Sequence, residues 1–192
     1  MALLTVGDQF PEFNLTALKG GNLREANAAS PDDYFEQVTN NSYEGKWKIV
    51  FFYPKDFTFV CPTEIAAFGK LNEEFEDRDT IVLGGSGDNE FSHFNWRATN
   101  EELLEVPFPM FADVRHDLMR ALGVENADGV ADRATFIIDP DGVSSSSPSP
   151  RTPSAATSTR SCASSTPCSR RRSAPATGRR TTRPRTSTRW TS

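Results

Sequence analysis

The stretch Ile49-Val50-Phe51-Phe52-Tyr53-Pro54-Lys55-Asp56-Phe57-Thr58-Phe59-Val60-Cys61-Pro62-Thr63-Glu64 passes from a strand through a loop into a helix. Residues 49–53 are continuously apolar, the mark of a strand buried on both faces. Pro54-Lys55-Asp56 ends it. A proline just inside a helix start is favoured, so Pro62 predicts a helix beginning at Cys61-Pro62. Ile65, Phe68, Leu71 and Phe75 then recur at helical spacing, with charged residues between them. Further strands are predicted at Ile81-Val82-Leu83 and Thr135-Phe136-Ile137-Ile138. Gly84-Gly85-Ser86-Gly87 should keep the first of these short, because glycine weakens a strand interior. Asp88 and Asn89 can cap a helix running through Phe91, Phe94 and Trp96, with Trp96 in the core. Asp113 can open another that carries Val114, Leu118 and Leu122. Asp139-Pro140-Asp141-Gly142 is a strong turn. Strand, helix, strand, helix, strand and hairpin turn is an α/β order, and the natural next element is a strand pairing back on 135–138.

That strand is not written in the sequence. The chain has 192 residues and a net charge of −5, but the charge averages two unlike segments. Residues 1–143 hold all 26 acidic residues and 11 basic ones; residues 144–192 hold ten arginines and no acid. The second segment contains only Ser, Thr, Arg, Pro, Ala, Cys, Gly and Trp. Such a composition cannot bury enough apolar surface to offset ordering entropy, so these 49 residues are expected to be disordered. All eight residue types have codons with G or C in the second position, as a GC-rich gene produces when its third codon position slips into second place. We therefore read 144–192 as the product of a shifted reading frame, and 1–143 as the folded domain lacking its last strand and helix. Read back, Ala174-Pro175-Ala176-Thr177-Gly178 permits Cys-Ala-Cys-Asn-Trp among other sequences, whereas Cys162 and Cys168 are accidents of the shifted frame. No apolar run reaches the roughly 20 residues that span a bilayer, and no secretory leader is visible, so the expected location is the cytoplasm.

The chemistry centres on Pro54-x-x-x-Thr58-x-x-Cys61. A cysteine acts as a nucleophile only as thiolate, whereas a free thiol titrates near pH ~8.5. A helix N-terminus contributes roughly 0.3–1 kcal/mol to a nearby anion. A guanidinium in contact contributes up to about 4 kcal/mol at an effective dielectric near 20. An arginine should therefore dominate, with the helix assisting. Thr58 can aim a hydroxyl at the sulfur, and Pro54 removes a donor and stiffens the loop that shields it. Glu64 suits a first helical turn.

Phe51 through Glu64 resembles the peroxidatic loop of typical two-cysteine peroxiredoxins of the alkyl hydroperoxide reductase type. Phe91-Ser92-His93-Phe94-x-Trp96, Pro107-Phe108-Pro109-Met110 and Asp132-Arg133-Ala134-Thr135-Phe136-Ile137-Ile138-Asp139 are similar to the same family. The resemblance covers roughly residues 3–143. It implies a thioredoxin-like fold, a central mixed sheet flanked by helices, with an N-terminal hairpin extension. It implies thiol-dependent reduction of hydrogen peroxide and organic hydroperoxides, with Cys61 as peroxidatic nucleophile passing through a sulfenic acid. Thr58 would hydrogen-bond sulfur and peroxide, Pro54 would shield the sulfur, and Arg133 would stabilise thiolate and transition state. The family needs no metal or organic cofactor. It implies a protein thiol reductant, thioredoxin-like or dedicated, and a homodimer or ring of dimers. It also closes its cycle with a resolving cysteine near the C-terminus, which no residue of 144–192 matches as written.

Other functions fit the sequence less well. The absence of C-x-x-C argues against a disulfide oxidoreductase. An inactive or one-cysteine relic whose Arg-rich tail grips nucleic acid or an acidic surface is the alternative. The tail has no lysine and one aromatic residue, Trp190, so it carries no stacking array, and nucleic acid and membrane are not expected partners. His93 and His116 are expected to face solvent, and no metal-ligand spacing links them to a cysteine.

Overall fold

The computed structural model describes residues 4–24 and 30–146. Of the tail 144–192 that was expected to be disordered, the residues beyond Ser146, Cys162 and Cys168 included, lie outside the described residues; residues 144–146 depart from that expectation, because hydrogen bonds to Asp8 and Ile137 hold them against the body. Six strands form one mixed sheet: β1 Asn14–Leu18, β2 Phe35–Thr39, β3 Trp47–Phe52, β4 Thr80–Ser86, β5 Met110–Ala112 and β6 Ala134–Ile138. Their order across the sheet is β2-β1-β5-β4-β3-β6. β3, β4 and β5 run parallel; β1 and β2 form an antiparallel pair on one side, and β6 runs antiparallel to β3 on the other. The helices are α1 Cys61–Lys70, α2 Asn72–Glu76, α3 Glu90–Thr99 and α4 Asp117–Leu122. This is the thioredoxin-like arrangement with an N-terminal hairpin.

The apolar run 49–53 is buried on both faces, as its composition predicts. Val50 and Phe52 point into a core with Phe10, Leu83, Phe111 and Phe136. Ile49, Phe51 and Tyr53 point into the other, with Ile65, Val82, Trp96 and Cys61. Period-two alternation thus splits one sequence run between two cores.

Strand β4 departs from expectation. It continues through Gly84, Gly85 and Ser86 instead of stopping at Leu83. The glycines make room for rings. A Cβ on Gly84 would lie 2.5 Å from Phe51 Cζ, and one on Gly85 2.3 Å from Phe111 Cε2. Such distances are far inside contact, so these positions suit glycine because aromatic rings lie over the sheet there.

Helix α3 forms where expected but departs at His93. Its N-cap is Asn89, whose side chain accepts from Ser92 N at 2.8 Å. The face it buries carries His93, Trp96 and Arg97, while Phe91 is exposed. His93 was expected to face solvent and is instead fully buried. Arg97 is also fully buried. Its guanidinium donates to the carbonyls of Leu103, Lys19, Gly21, Leu104 and Val106. Burial pulls its pKa down to about 10, the direction that removing a cation from water dictates. α4 begins later than Asp113, because His116 first adopts a left-handed turn (φ 60°). Asp113 still serves the helix, accepting from Met119 N at 2.8 Å. His116 is partly buried and pairs with Glu125 (2.7 Å).

Beyond β6, the turn at 139–142 returns the chain along the same edge. The described residues carry no further strand, only isolated bridges of Val143 with Gln9 and of Ser144 with Ile138. Ser145 N donates to Ile137 O at 2.7 Å.

Candidate active site

Cys61 occupies the first position of α1, with Val60 before it and Pro62 next in the chain. Val60, at the N-cap, makes no side-chain capping hydrogen bond. β3 delivers the loop at the carboxyl end of the parallel strands, where α/β sheets gather their ligands. The β3–β6 register does the rest. Phe52 pairs with Ala134, so Arg133, just ahead of β6, is carried to the same end as Tyr53 and the loop. Arg133 Nη2 lies 3.3 Å from Cys61 Sγ and Nη1 3.8 Å. Arg133 Nη1 is also 3.8 Å from Glu64 Oε2. Glu64, expected only to suit the first turn of a helix, therefore also faces the arginine one helical turn beyond the cysteine.

The sulfur is buried and the guanidinium is largely so, its side chain 23% exposed. A cation in contact with a sulfur that water scarcely reaches acts at a lower effective dielectric than at an open surface. The site thus sets a thiol against a fixed positive charge. Among the described residues no cluster of His, Cys, Asp and Glu is arranged to hold a metal ion.

Not every expected residue converges. The Thr58 hydroxyl donates to Lys55 O at 3.2 Å, not to the sulfur. Pro54 lies one residue beyond Tyr53, which itself follows β3, and is partly buried at the start of the loop. Phe57 holds a positive φ of 54°, and Phe59 and Val60 are exposed.

A second cluster, which the sequence reading passed over, lies beside the loop. Tyr53 Oη donates to Asp56 Oδ1 at 2.8 Å, and His93 Nδ1 lies 2.7 Å from Asp56 Oδ2. His93 Nε2 meets Phe111 O at 3.1 Å, and Asp56 N donates to Asp88 Oδ2 at 2.8 Å. Burial, reinforced by the Asp56 carboxylate, pushes the Tyr53 phenol well above its ordinary pKa. The available sequence signal was a histidine four residues before Arg97 and three before Trp96, on one helical face.

A mixed sheet of this order, with an arginine-paired cysteine opening the helix after its third strand, defines a thioredoxin-like protein built for thiol chemistry. The AhpC/TSA family model matches residues 6–144. Alkyl hydroperoxide reductase C of Mycolicibacterium smegmatis is 69% identical over 140 residues, covering 73% of this chain and 72% of the relative. The protein of the same name from Mycobacterium tuberculosis is 61% identical over 140 residues, with the same shares. A solved structure of Mycobacterium tuberculosis AhpC superposes with a TM-score of 0.75 at 57% identity, covering 80% of this chain and 85% of that one. The chain belongs to the AhpC/TSA family and with it to the thiol-dependent peroxidases.

Proposed function

We propose that Cys61 is the peroxidatic nucleophile and that the substrates are hydrogen peroxide and organic hydroperoxides. The observation that carries this reading is the 3.3 Å contact between Arg133 Nη2 and Cys61 Sγ at the start of α1. The thiolate attacks the distal oxygen of the hydroperoxide and the O–O bond breaks. Sulfur keeps that oxygen as a sulfenic acid, and the leaving alkoxide or hydroxide takes up a proton and departs as alcohol or water. Negative charge moves from sulfur onto the leaving oxygen, and Arg133 lies beside its path, so one cation serves both ends of the step. Pro54 shields the sulfur from water. Thr58 takes its expected role by turning its hydroxyl from Lys55 O toward sulfur and peroxide when the substrate is bound.

The sulfenic acid needs two thiol equivalents to return to thiol and water. A thioredoxin-like or dedicated reductase supplies them. A homodimer or ring of dimers in the cytoplasm is the proposed setting. Among the described residues no helix is long and apolar enough to cross a membrane. The folded domain spans 1–143, and 144–192 is the product of a shifted reading frame.

The test is dithiothreitol-supported consumption of hydrogen peroxide and cumene hydroperoxide by the full chain and by Cys61→Ser. Turnover that vanishes in the variant supports the reading. Equal turnover by both proteins moves the chemistry away from Cys61.

A further inference from the structure

The loop between Tyr53 and Cys61 carries the nucleophile, yet little of it is held by packing. Lys55, Phe57, Phe59 and Val60 are exposed, and Pro54 and Thr58 are only partly covered. Asp56 is its one buried residue. Every described polar contact of Asp56 goes to a regular element or its edge. Its carboxylate meets Tyr53 at the end of β3 and His93 on α3, and its backbone N–H meets Asp88 in the turn before α3. Asp88 Oδ2 is itself fixed by the Ser86 hydroxyl at 3.2 Å.

The His93 ring is in turn held at both nitrogens. A carbonyl only accepts, so Nε2 is the donor to Phe111 O. Nδ1 lies 2.7 Å from Asp56 Oδ2 and 3.3 Å from Tyr53 Oη. The Tyr53 phenol stays protonated and donates to the other carboxyl oxygen. Tyr53, Asp56 and His93 are buried and hydrogen-bonded to one another, so the network has the rigidity that an exposed loop lacks.

We propose that Asp56 and His93 are positioning residues for the peroxide reaction: the pair pins the loop so that Cys61 and the groups around it meet the peroxide in line. This rests on the peroxidase reading above. Attack on an O–O bond needs alignment of sulfur, both oxygens and the donors around them, whereas alkylation of the same sulfur by iodoacetamide makes no use of that frame.

The experiment compares two second-order rate constants of Cys61 in the full chain, one with hydrogen peroxide and one with iodoacetamide. In Asp56→Ala the peroxide rate falls about tenfold or more while the iodoacetamide rate stays within about threefold. In Asp56→Asn the peroxide rate stays within about threefold of wild type, because the amide N–H donates to Nδ1 and its oxygen accepts from Tyr53. Tyr53→Phe removes one anchor and keeps the ring, so it keeps the comparison open if Asp56→Ala does not fold. It lowers the peroxide rate about threefold and spares the iodoacetamide rate. A folded Asp56→Ala with wild-type peroxide reactivity overturns the proposal. So do equal losses with both reagents, an Asp56→Asn no better than Asp56→Ala, and, if Asp56→Ala does not fold, a Tyr53→Phe that reacts with peroxide like wild type. A wild-type Cys61 inert to peroxide sinks the peroxidase reading itself, an outcome distinct from all of these.

Discussion

Arg97 and Arg133 bring the same guanidinium out of bulk water for different ends. Arg97, fully buried on α3, meets only carbonyl oxygens among the described residues, spread over the segments around Lys19 and Leu103. Its planar fork of donors matches several acceptors at once, so it ties loops together and leaves no partner for chemistry. Arg133 keeps an open side, and its neighbours are Cys61 Sγ and a carboxylate. A cation facing fixed dipoles is structural. A cation facing a group whose charge changes during a reaction can lower a barrier. What an arginine does here is decided by what it faces, not by how deeply it sits.

Five substitutions test that contrast. Arg133→Met should slow sulfenic acid formation by about 10²–10³-fold, the span reached when a contact worth up to about 4 kcal/mol is lost, with little change in melting temperature. Stopped-flow fluorescence with hydrogen peroxide reads the rate, and calorimetry the stability. Arg97→Met should do the reverse. It leaves buried carbonyls unsatisfied and should cost about 3 kcal/mol of stability by urea unfolding, while the folded fraction keeps its peroxide rate within about threefold. Lysine replacements sharpen the difference. Arg133→Lys keeps the charge and should lose only about tenfold in rate, whereas Arg97→Lys loses the fork and should still cost about 2 kcal/mol of stability. The smallest effect is expected at Thr58. Thr58→Val should slow the peroxide step about tenfold or less, the value of one hydrogen bond formed only with substrate present, and should spare stability.

Much of this was legible in the sequence because it rests on local pattern. The apolar run 49–53 and the helix after Pro62 announce themselves by periodicity, and Cys61 falls where they meet. Arg133 was reachable only through resemblance to a family. Its approach to Cys61 depends on the Phe52–Ala134 pairing, a long-range register that no local window contains. The errors share one cause. Glycine at 84 and 85 weakens a strand in general, but here the rings of Phe51 and Phe111 need the space. Histidine usually faces water, but His93 finds Asp56 and the Phe111 carbonyl supplied by distant segments. In each case tertiary partners overrode intrinsic preference, and those partners are invisible until the chain is folded. Thr58 is a different matter, since its hydroxyl bonds within its own loop.

The central claim is that Cys61, held against Arg133, is the atom that takes oxygen from a peroxide. The most direct test is peptide mass spectrometry of the reduced protein, before and seconds after one equivalent of hydroperoxide, with a sulfenic-acid trap present. The account predicts one trap adduct on the Cys61 peptide in the wild type, strongly reduced in Arg133→Met and absent in Cys61→Ser. A folded wild-type protein that leaves Cys61 unmodified while peroxide persists would contradict it.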